Sequence, residues 1–369
     1  MAEEDAGGVA RPTDMLPSHA RKIIGSLRNC LTEHSLIRLW PAVQRLWPNC
    51  QLPNHDRLDN GGSGSKTLWA RMTEGDRVVQ LRIIVGIPTV GRAPILRRTL
   101  AHLQNQVRPA DRVIVCGTNA DDVEGAQTTT PGTTVLLAEA GASRQRNAII
   151  TAAHDADVLV FFDDDFLPAA GYLAAVEDHM TAHERTVVAT GSLLADGING
   201  VGLSTDEALG MLAHDEQVPF DVRPTFAGYG CNMAIRLAPL RQHNFSFDER
   251  LPLYSWQEDV DLSRQMATCG DIVQLGKARG VHLGTKRGRG SGLKLGYSQV
   301  ANPLYLFSKR RGYPLGRAVS HIACNMGMNI IRSVRPEPYV DRRGRLRGNI
   351  LALRDLVVGR MVPERILDL

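Results

Sequence analysis

The sequence lacks the features that mark several large classes of protein. Its six cysteines lie far apart and include no Cys-X-X-Cys pair, which argues against a disulfide framework and against a structural zinc site. No apolar run approaches the roughly 20 residues of a membrane span. The acidic first residues, MAEEDAGG, hold no apolar core of a signal peptide. We therefore expect reduced thiols and a cytoplasmic protein.

Net charge and aromatic side chains are also scarce. The formal net charge is +4, which is too small by itself to predict a nucleic-acid partner, and only 5% of the residues are aromatic. With 35 glycines among 369 residues, the composition is typical of a loop-rich enzyme. The length accommodates one large α/β domain with appendages.

Acidic residues are missing from residues 277–335, a stretch that holds 12 Lys and Arg. Within it, one run combines aromatic and basic side chains: Tyr305, Phe307, Lys309, Arg310 and Arg311. Such a run favours peripheral contact with the anionic inner face of a membrane. It is equally consistent with a helix that packs on the rest of the protein and keeps its charges in water.

The order of apolar and polar segments predicts an α/β fold from residue 81 onward. Strand-like runs (VVQLRIIVGIP, RVIVCG, TTVLLAE, DVLVFFDDD) alternate with helical segments, which implies a mainly parallel sheet with helices on both faces. Ligands bind beyond the carboxyl ends of such strands. We therefore divide the chain into an N-terminal helical and loop extension (1–80), a catalytic domain (81–285), and a basic loop with a C-terminal helical region (286–369).

Three adjacent aspartates, Asp163, Asp164 and Asp165, follow one of these strands. Their mutual repulsion is costly unless a cation relieves it. Because alternate side chains of an extended backbone share a face, Asp163 and Asp165 can converge on one ligand while Asp164 turns away. Carboxylates suit a hard dication such as Mg²⁺ or Mn²⁺, especially when a diphosphate completes the coordination. A solvated acidic turn or a capping cluster is the simpler alternative.

A second acidic run, SWQEDVDL, has the pattern of a loop that enters a helix. Carboxylates in a first helical turn interact favourably with the helix dipole, and this structural role suits Asp261 in particular. Helix capping by the whole run is therefore one interpretation, and chemistry by its first two acids, Glu258 and Asp259, is the other.

The motifs IPTVGR, QRN, FFDDDFLP and WQEDVDL resemble, in order and spacing, those of family 2 glycosyltransferases. The resemblance covers roughly residues 81–285, and the tail is similar to bacterial members that build surface polysaccharides. It implies the GT-A fold, which is Rossmann-like, here with N-terminal and C-terminal helical extensions. It also implies an inverting enzyme with a nucleoside-diphosphate sugar donor, a Mn²⁺ or Mg²⁺ ion and a hydroxyl acceptor. A lipid-linked glycan of cell-surface polysaccharide or glycolipid synthesis is one candidate acceptor.

The same resemblance implies the residues of the site. Contacts with the nucleotide sugar are expected from Pro88, Thr89, Arg92, Arg146, Asn147, Asp163, Asp164, Lys286 and Arg287. The metal ligands are expected to be Asp165, Asp163 and His282, although a lone histidine is more often structural. Lys286 and Arg287 lie in a glycine-rich loop that suits a lid on a diphosphate, or else is simply solvated.

Inverting transfer requires a carboxylate that deprotonates the acceptor hydroxyl as it attacks the anomeric carbon opposite the diphosphate. Glu258 and Asp259 meet this requirement. The resemblance favours Asp259 as the base, with Glu258 contacting the acceptor or orienting the site. One departure concerns the second strand, which usually ends in an acidic residue that reads the nucleotide base and here ends in Cys116 and Gly117.

Two other functions are compatible with parts of the sequence. The run FFDDDFL also resembles the nucleophile motif of haloacid-dehalogenase-like phosphatases, in which Asp163 would form an aspartyl-phosphate and Asp165 would be the acid and base. Leu167 stands where that motif needs Thr or Val. The other alternative is a GT-A-like domain that binds without turnover, against which the intact acids argue.

Overall fold

The computed structural model describes residues 80–214, 222–286 and 290–369. The N-terminal extension predicted for residues 1–80 lies outside these ranges, apart from its last residue. Arg287, for which a diphosphate contact is predicted, also lies outside them. The described residues all belong to one compact unit.

A nine-stranded sheet forms the centre of the described chain. Its strands are β1 (Ile83–Pro88), β2 (Arg112–Gly117), β3 (Thr134–Leu137), β4 (Val158–Phe162), β5 (Phe166–Pro168), β6 (Thr186–Asp196), β7 (Arg223–Pro224), β8 (Asn232–Arg236) and β9 (Asp271–His282). The spatial order is β3-β2-β1-β4-β8-β6-β9-β5, and β7 pairs with β9 outside this path.

Most strands of this sheet point in one direction, which confirms the predicted mainly parallel sheet. β1 pairs in parallel with β2 and β4, β2 with β3, and β6 with β9. β8 lies antiparallel between β4 and β6, and β5 and β7 lie antiparallel to β9. β5 follows the three aspartates directly and pairs Phe166 with His282. The acidic turn and the end of β9 therefore lie side by side.

Helices alternate with the first strands and then form a separate group at the end of the chain. They are α1 (Ala93–Leu103), α2 (Ala126–Thr129), α3 (Ala142–Ala152), α4 (Tyr172–Ala182), α5 (Thr205–Ala213), α6 (Leu237–Gln242), α7 (Glu258–Met266), α8 (Gly292–Ser308), α9 (Leu315–Ser333) and α10 (Arg342–Val357).

Burial on both faces explains why the strands are continuous apolar runs. In β1, Ile83, Val85 and Ile87 belong to a core cluster with residues of α1 and α4. Ile84, between them, belongs to the opposite cluster with residues of α3 and α7. Because strand side chains alternate between the faces, a sheet covered on both sides needs an apolar residue at every position.

The last three helices pack around a smaller core made of Tyr297, Val300, Ala301, Ala352 and Ile366. Glycines allow α8 and α10 to approach closely, because a Cβ at Gly296 would collide with the carbonyl group of Arg345. This confirms the helical C-terminal extension, whereas its boundary at residue 285 stays a prediction. Within the described ranges, no helix combines the length and the apolar character needed to cross a membrane.

Candidate active site

Two aspartates of the acidic turn and one histidine form a cluster at the edge of the sheet. Ligand atoms of Asp163, Asp165 and His282 all lie within 4.8 Å of one another. The Nε2 atom of His282 is 3.4 Å from Oδ1 of Asp165 and 3.9 Å from Oδ2 of Asp163. Two carboxylates and an imidazole in this arrangement can hold one divalent cation. These are the three residues for which metal ligation is predicted.

The middle aspartate of the turn, Asp164, points into the interior. It accepts a hydrogen bond from Oγ1 of Thr89 at 2.6 Å and lies 2.9 Å from Nη2 of Arg92. Burial raises the pKa of Asp164 to about 7, although Arg92 opposes this shift. Thr89 and Asp164 are both buried and are engaged with each other. Asp164 lies in a tight turn, in which the N–H of Phe166 donates to the carbonyl oxygen of Asp163 at 3.0 Å, and this turn directs its side chain inward. The nucleotide contacts of Thr89 and Asp164 stay predictions.

Contacts with the chain that follows β9 hold Asp165 in place. Its Oδ2 accepts a hydrogen bond from the backbone N–H of Thr285 at 2.7 Å, and its carbonyl oxygen accepts one from the N–H of Leu283 at 2.9 Å. Nη1 of Arg92 lies 3.5 Å from the same carboxylate. Burial raises the pKa of Asp165, but the hydrogen bond and charge of His282, followed by Arg92, bring it well below its usual range.

An additional aspartate, Asp196, orients the histidine of the cluster. Its Oδ1 lies 2.9 Å from Nδ1 of His282, and its Oδ2 accepts a hydrogen bond from the hydroxyl of Tyr229 at 3.2 Å. This contact directs Nε2 toward the two aspartates. Burial lowers the pKa of His282, but Asp165 and Asp196 together raise it to about 10. Asp196 was not among the predicted site residues. Its place at the end of a strand, where ligand sites of such sheets lie, is the feature that could have indicated it.

Arg146 connects the two acidic motifs. Its Nη1 contacts Oε1 of Glu258, and its Nη2 is 3.1 Å from both Oδ1 of Asp163 and the carbonyl oxygen of Gly230. The residue is only 3% exposed, so it is a buried ion-pair partner and not a surface residue of α3. Burial lowers the pKa of Arg146, but Glu258 and Asp163 raise it above the ordinary value, which keeps the guanidinium charged.

The two acids predicted to serve the acceptor, Glu258 and Asp259, lie in the first turn of α7. Oδ2 of Asp259 accepts a hydrogen bond from the N–H of Gly230 at 2.8 Å. Burial raises the pKa of Asp259, against the effects of Gly230 and Arg146. Burial also raises the pKa of Glu258 to about 8, and Arg146 opposes it. Because Gly230 contacts both Arg146 and Asp259, the two acidic motifs border one site.

The loop before α7 has a strained backbone. Leu253, Ser255 and Gln257 have φ angles of 58°, 52° and 74°, in the left-handed region that non-glycine residues seldom adopt. Each such residue costs of order 1 kcal/mol or more and persists only where the surroundings fix it. Three of them within five residues indicate a loop whose shape is imposed from outside.

The C-terminal helices supply part of that constraint. Asn302 on α8 donates a hydrogen bond to the carbonyl oxygen of Trp256 at 2.7 Å. His321 on α9 lies 2.7 Å from Nε2 of Gln257 through its Nδ1. Burial lowers the pKa of His321 to about 4, so the ring is neutral and Nδ1 accepts this hydrogen bond. The C-terminal region therefore supports the loop that precedes Glu258 and Asp259, a connection that the sequence analysis did not predict.

The remaining predicted residues have different positions. Pro88 ends β1, half-buried, next to Thr89. Asn147 exchanges two hydrogen bonds with the backbone of Phe247, at 2.9 and 3.0 Å, which gives its side chain a structural role, and its nucleotide contact stays a prediction. Nζ of Lys286 donates to the carbonyl oxygens of residues 197 and 198, at 3.0 and 2.8 Å. Lys286 thus ties the end of β9 to this turn, and its role on a diphosphate stays a prediction.

Comparison with known proteins agrees with this geometry. The model of glycosyl transferase family 2 matches residues 84–243, which include Arg146 and all three aspartates of the acidic turn. Over this stretch, which is less than half of the chain, the sequence resembles glycosyl transferase family 2, and this resemblance indicates a glycosyltransferase. The phosphatase alternative is accordingly not favoured. No curated protein matches the chain.

Solved structures resemble the chain only distantly. One is the mannosyltransferase PcManGT from Pyrobaculum calidifontis in complex with GDP-Man and Mn²⁺, at 16% identity and a TM-score of 0.46, covering 94% of this chain and 87% of that chain. Another is TarS from S. aureus, at 17% identity and a TM-score of 0.49, covering 78% of this chain and 82% of that chain. These values are too low to bear on donor, acceptor or mechanism.

Proposed function

We propose that this protein transfers a sugar from a nucleoside-diphosphate sugar to a hydroxyl group, with inversion at the anomeric carbon. The observation that carries the proposal is the position of Arg146, which contacts Asp163 in one acidic motif and Glu258 in the other. The donor would bind beside Asp163, and the acceptor would bind beside Asp259. The two reacting groups would then meet at a single site.

Mn²⁺ or Mg²⁺ fits the cluster of Asp163, Asp165 and His282. The ligand atoms are close enough to share one ion, and the contact with Asp196 aims Nε2 of His282 at the two carboxylates. When bound, the cation would supply the positive charge that stabilises the departing diphosphate. A ligating imidazole must be neutral, so binding would release the proton that the surrounding carboxylates hold on His282.

Asp259 is the proposed base. The N–H of Gly230 fixes its carboxylate, and the burial that raises its pKa makes it a better proton acceptor than an exposed aspartate. Glu258 is engaged with Arg146, so we assign it to orienting the site. Arg146 would keep the neighbouring carboxylates in position without taking part in proton transfer.

The acceptor is proposed to belong to cell-surface polysaccharide or glycolipid synthesis, and the reaction to take place in the cytoplasm. The basic composition of residues 277–335 supports an acceptor held at an anionic membrane, such as a lipid-linked glycan. Direct contact of Arg92 with a nucleotide sugar also belongs to this proposal, since its side chain remains partly exposed beside Asp165.

The test is incubation of the protein with UDP-, GDP- and dTDP-sugars and Mn²⁺. We expect free nucleoside diphosphate to be released from one nucleotide class and the release to stop when a chelator removes the metal. The anomeric configuration of the glycoside product, read by NMR, tests inversion. Release of inorganic phosphate from phosphosugars would support the phosphatase instead, and binding without turnover would support the non-catalytic domain.

A further inference from the structure

The C-terminal helix α9 carries an apolar stripe on its exposed side. Its members, which recur at helical spacing and lie within roughly 100° around the helix axis, are Leu315, Val319, Ala323, Ile330 and Val334. The four larger side chains are 47–71% exposed. A helix of a soluble domain normally turns such a stripe toward the core. An exposed apolar stripe of this extent marks an interaction surface.

The neighbouring helix α10 presents basic and apolar side chains in alternation. Its exposed positions, again at spacings of three and four, are Arg343, Arg347, Ile350, Arg354 and Val357. Ile350 is 58% exposed and Val357 is 86% exposed. A hydrogen bond between Asn329 of α9 and Asn349 of α10, at 2.9 Å, joins the two helices. We call the exposed sides of the two helices the α9–α10 surface.

The charge of the C-terminal helical region is predominantly positive. Residues 310–360 contain 11 arginines and three acids. Of the acids, Glu337 pairs with Arg342 at 2.9 Å, and Asp355 is buried and accepts a hydrogen bond from Tyr297. Asp341 caps the start of α10. The acids are thus engaged within the helical region, and the arginines dominate its exposed surface.

The aromatic and basic run predicted to touch a membrane is not itself that surface. Nζ of Lys309 lies 2.8 Å from Asp248 and 2.6 Å from Asp261, and the hydroxyl of Tyr305 donates to Asp248 at 2.7 Å. Tyr305 and Lys309 therefore pack against the rest of the chain, and the charge of Lys309 is paired with carboxylates and not left in water. Phe307, Arg310 and Arg311 of the run are exposed.

We propose that the α9–α10 surface docks on an anionic lipid bilayer. The apolar side chains of both helices would enter the headgroup region, while the arginines of α10 would bind lipid phosphates. Because α8 and α9 contact the loop that precedes Glu258 and Asp259, docking would hold a lipid-linked acceptor near the proposed base. The delivery of an acceptor rests on the proposed function, whereas membrane binding itself does not.

Charge favours a bilayer over a second copy of the chain. In a symmetric dimer built on this surface, the arginines of one copy would face those of the other, and like charges across an interface are unfavourable. Anionic headgroups instead complement them, at about 1 kcal/mol per arginine near the surface, which corresponds to roughly five-fold in partitioning.

The experiment is sedimentation of the full-length protein with vesicles, without nucleotide or metal. We expect binding to vesicles of phosphatidylcholine and phosphatidylglycerol in equal parts, weakening as salt rises, and little binding to phosphatidylcholine alone. The double variant Val319→Asp/Ile330→Asp should reduce partitioning about ten-fold or more. Arg347→Gln and Arg354→Gln should each reduce it about five-fold.

Matched controls alter the same residue types elsewhere. Val107, which is 77% exposed between α1 and β2, and Arg98, exposed on α1, are changed to Asp and Gln. Both variants should bind vesicles like the parent. Equal vesicle binding by the α9–α10 variants and the parent would overturn the proposal. The proposal would also be overturned if the parent protein were a dimer in solution and only Val319→Asp/Ile330→Asp converted it to a monomer.

One further variant separates this proposal from the proposed function. Asp259→Asn should lose sugar transfer and still bind anionic vesicles like the parent. Vesicle binding without any transferase activity in the parent would leave docking intact and reject the function. Transfer to a soluble acceptor without vesicle binding would reject docking alone.

Discussion

The two acidic motifs of this glycosyltransferase follow the same plan on different secondary structures. Each has acids at the site and one acid that points into the protein. In the strand-end motif the inward acid is Asp164, paired with Arg92. In the helical motif it is Asp261, whose Oδ2 lies 2.6 Å from Nζ of Lys309. Each motif thus contains acids that face the site and one buried aspartate that anchors the motif in the protein.

The motifs differ in what holds them. Groups of the sheet region fix the strand-end motif: the N–H of Asp163 donates to the carbonyl oxygen of Cys231 at 3.1 Å, Thr285 donates to Asp165, and the side chain of Arg92 pairs with Asp164. Side chains from the distant C-terminal helices, among them Lys309 and His321, fix the helical motif. We expect the strand-end motif to be rigid and the helical motif to respond to changes far along the chain.

The largest expected effect on the rate comes from Asp259, in the helical motif. If Asp259 is the base, Asp259→Asn should lower kcat about 10³-fold, because a neutral amide cannot accept the acceptor proton. Donor binding and thermal stability should stay close to those of the parent. The measurement is the rate of nucleoside diphosphate release at saturating donor and metal. A loss of less than about ten-fold would contradict the assignment.

The next effect belongs to the strand-end motif. Asp165→Ala should abolish the stabilisation that Mn²⁺ with the nucleotide sugar confers on thermal unfolding, and should lower the rate about 10²–10³-fold. The control is Asp164→Asn, which keeps the shape of the buried side chain. It should lower stability but retain metal-dependent stabilisation, because Asp164 faces Thr89 and Arg92. Metal dependence in Asp165→Ala equal to that of the parent would place the ion elsewhere.

The anchor of the helical motif should affect stability more than rate. Asp261→Asn removes a charge from a buried pair with Lys309, and we expect a loss of about 2 kcal/mol in the free energy of unfolding. Asp271→Asn is the matched control, since its pair with Arg185 is exposed and should contribute less than about 0.5 kcal/mol. Chemical denaturation measures both. Equal stabilities of the two variants would show that Asp261 is not an anchor.

Sequence patterns predicted the acids better than their supports. Asp164 does lie apart from Asp163 and Asp165 as predicted, but a turn and not an extended strand end separates them. The chain order of strands and helices predicted the sheet. The supporting groups escaped because they are backbone atoms, such as those of Gly230, or residues brought near by pairing of β5 and β6 with β9, such as Asp196. The resemblance that placed Asn147 and Lys286 near the nucleotide could not reveal the hydrogen bonds that both side chains make within the protein.

The pH dependence of the rate should report the helical motif. Burial raises the pKa of Asp259, and the base must be unprotonated, so kcat should fall about ten-fold for each pH unit below that pKa. The midpoint should lie above about 3.9, the ordinary value for aspartate. Saturating metal is required, so that proton competition at His282 does not add to the profile. A midpoint at or below the ordinary value would argue against a buried base.

The smallest effect tests whether the C-terminal helices reach the chemistry. His321→Ala removes the acceptor of the hydrogen bond from Gln257, which precedes Glu258 and has a φ of 74°. One neutral hydrogen bond contributes about 1 kcal/mol, so we expect kcat to fall about five-fold as the strained loop relaxes. Metal-dependent thermal stabilisation should be unchanged, because the strand-end motif does not contact α9. His154→Ala, at an exposed position after α3, is the control. If His321→Ala weakened metal-dependent stabilisation as much as it lowered kcat, the two motifs would share their support, and the contrast between support from the sheet region and support from the C-terminal helices would be lost.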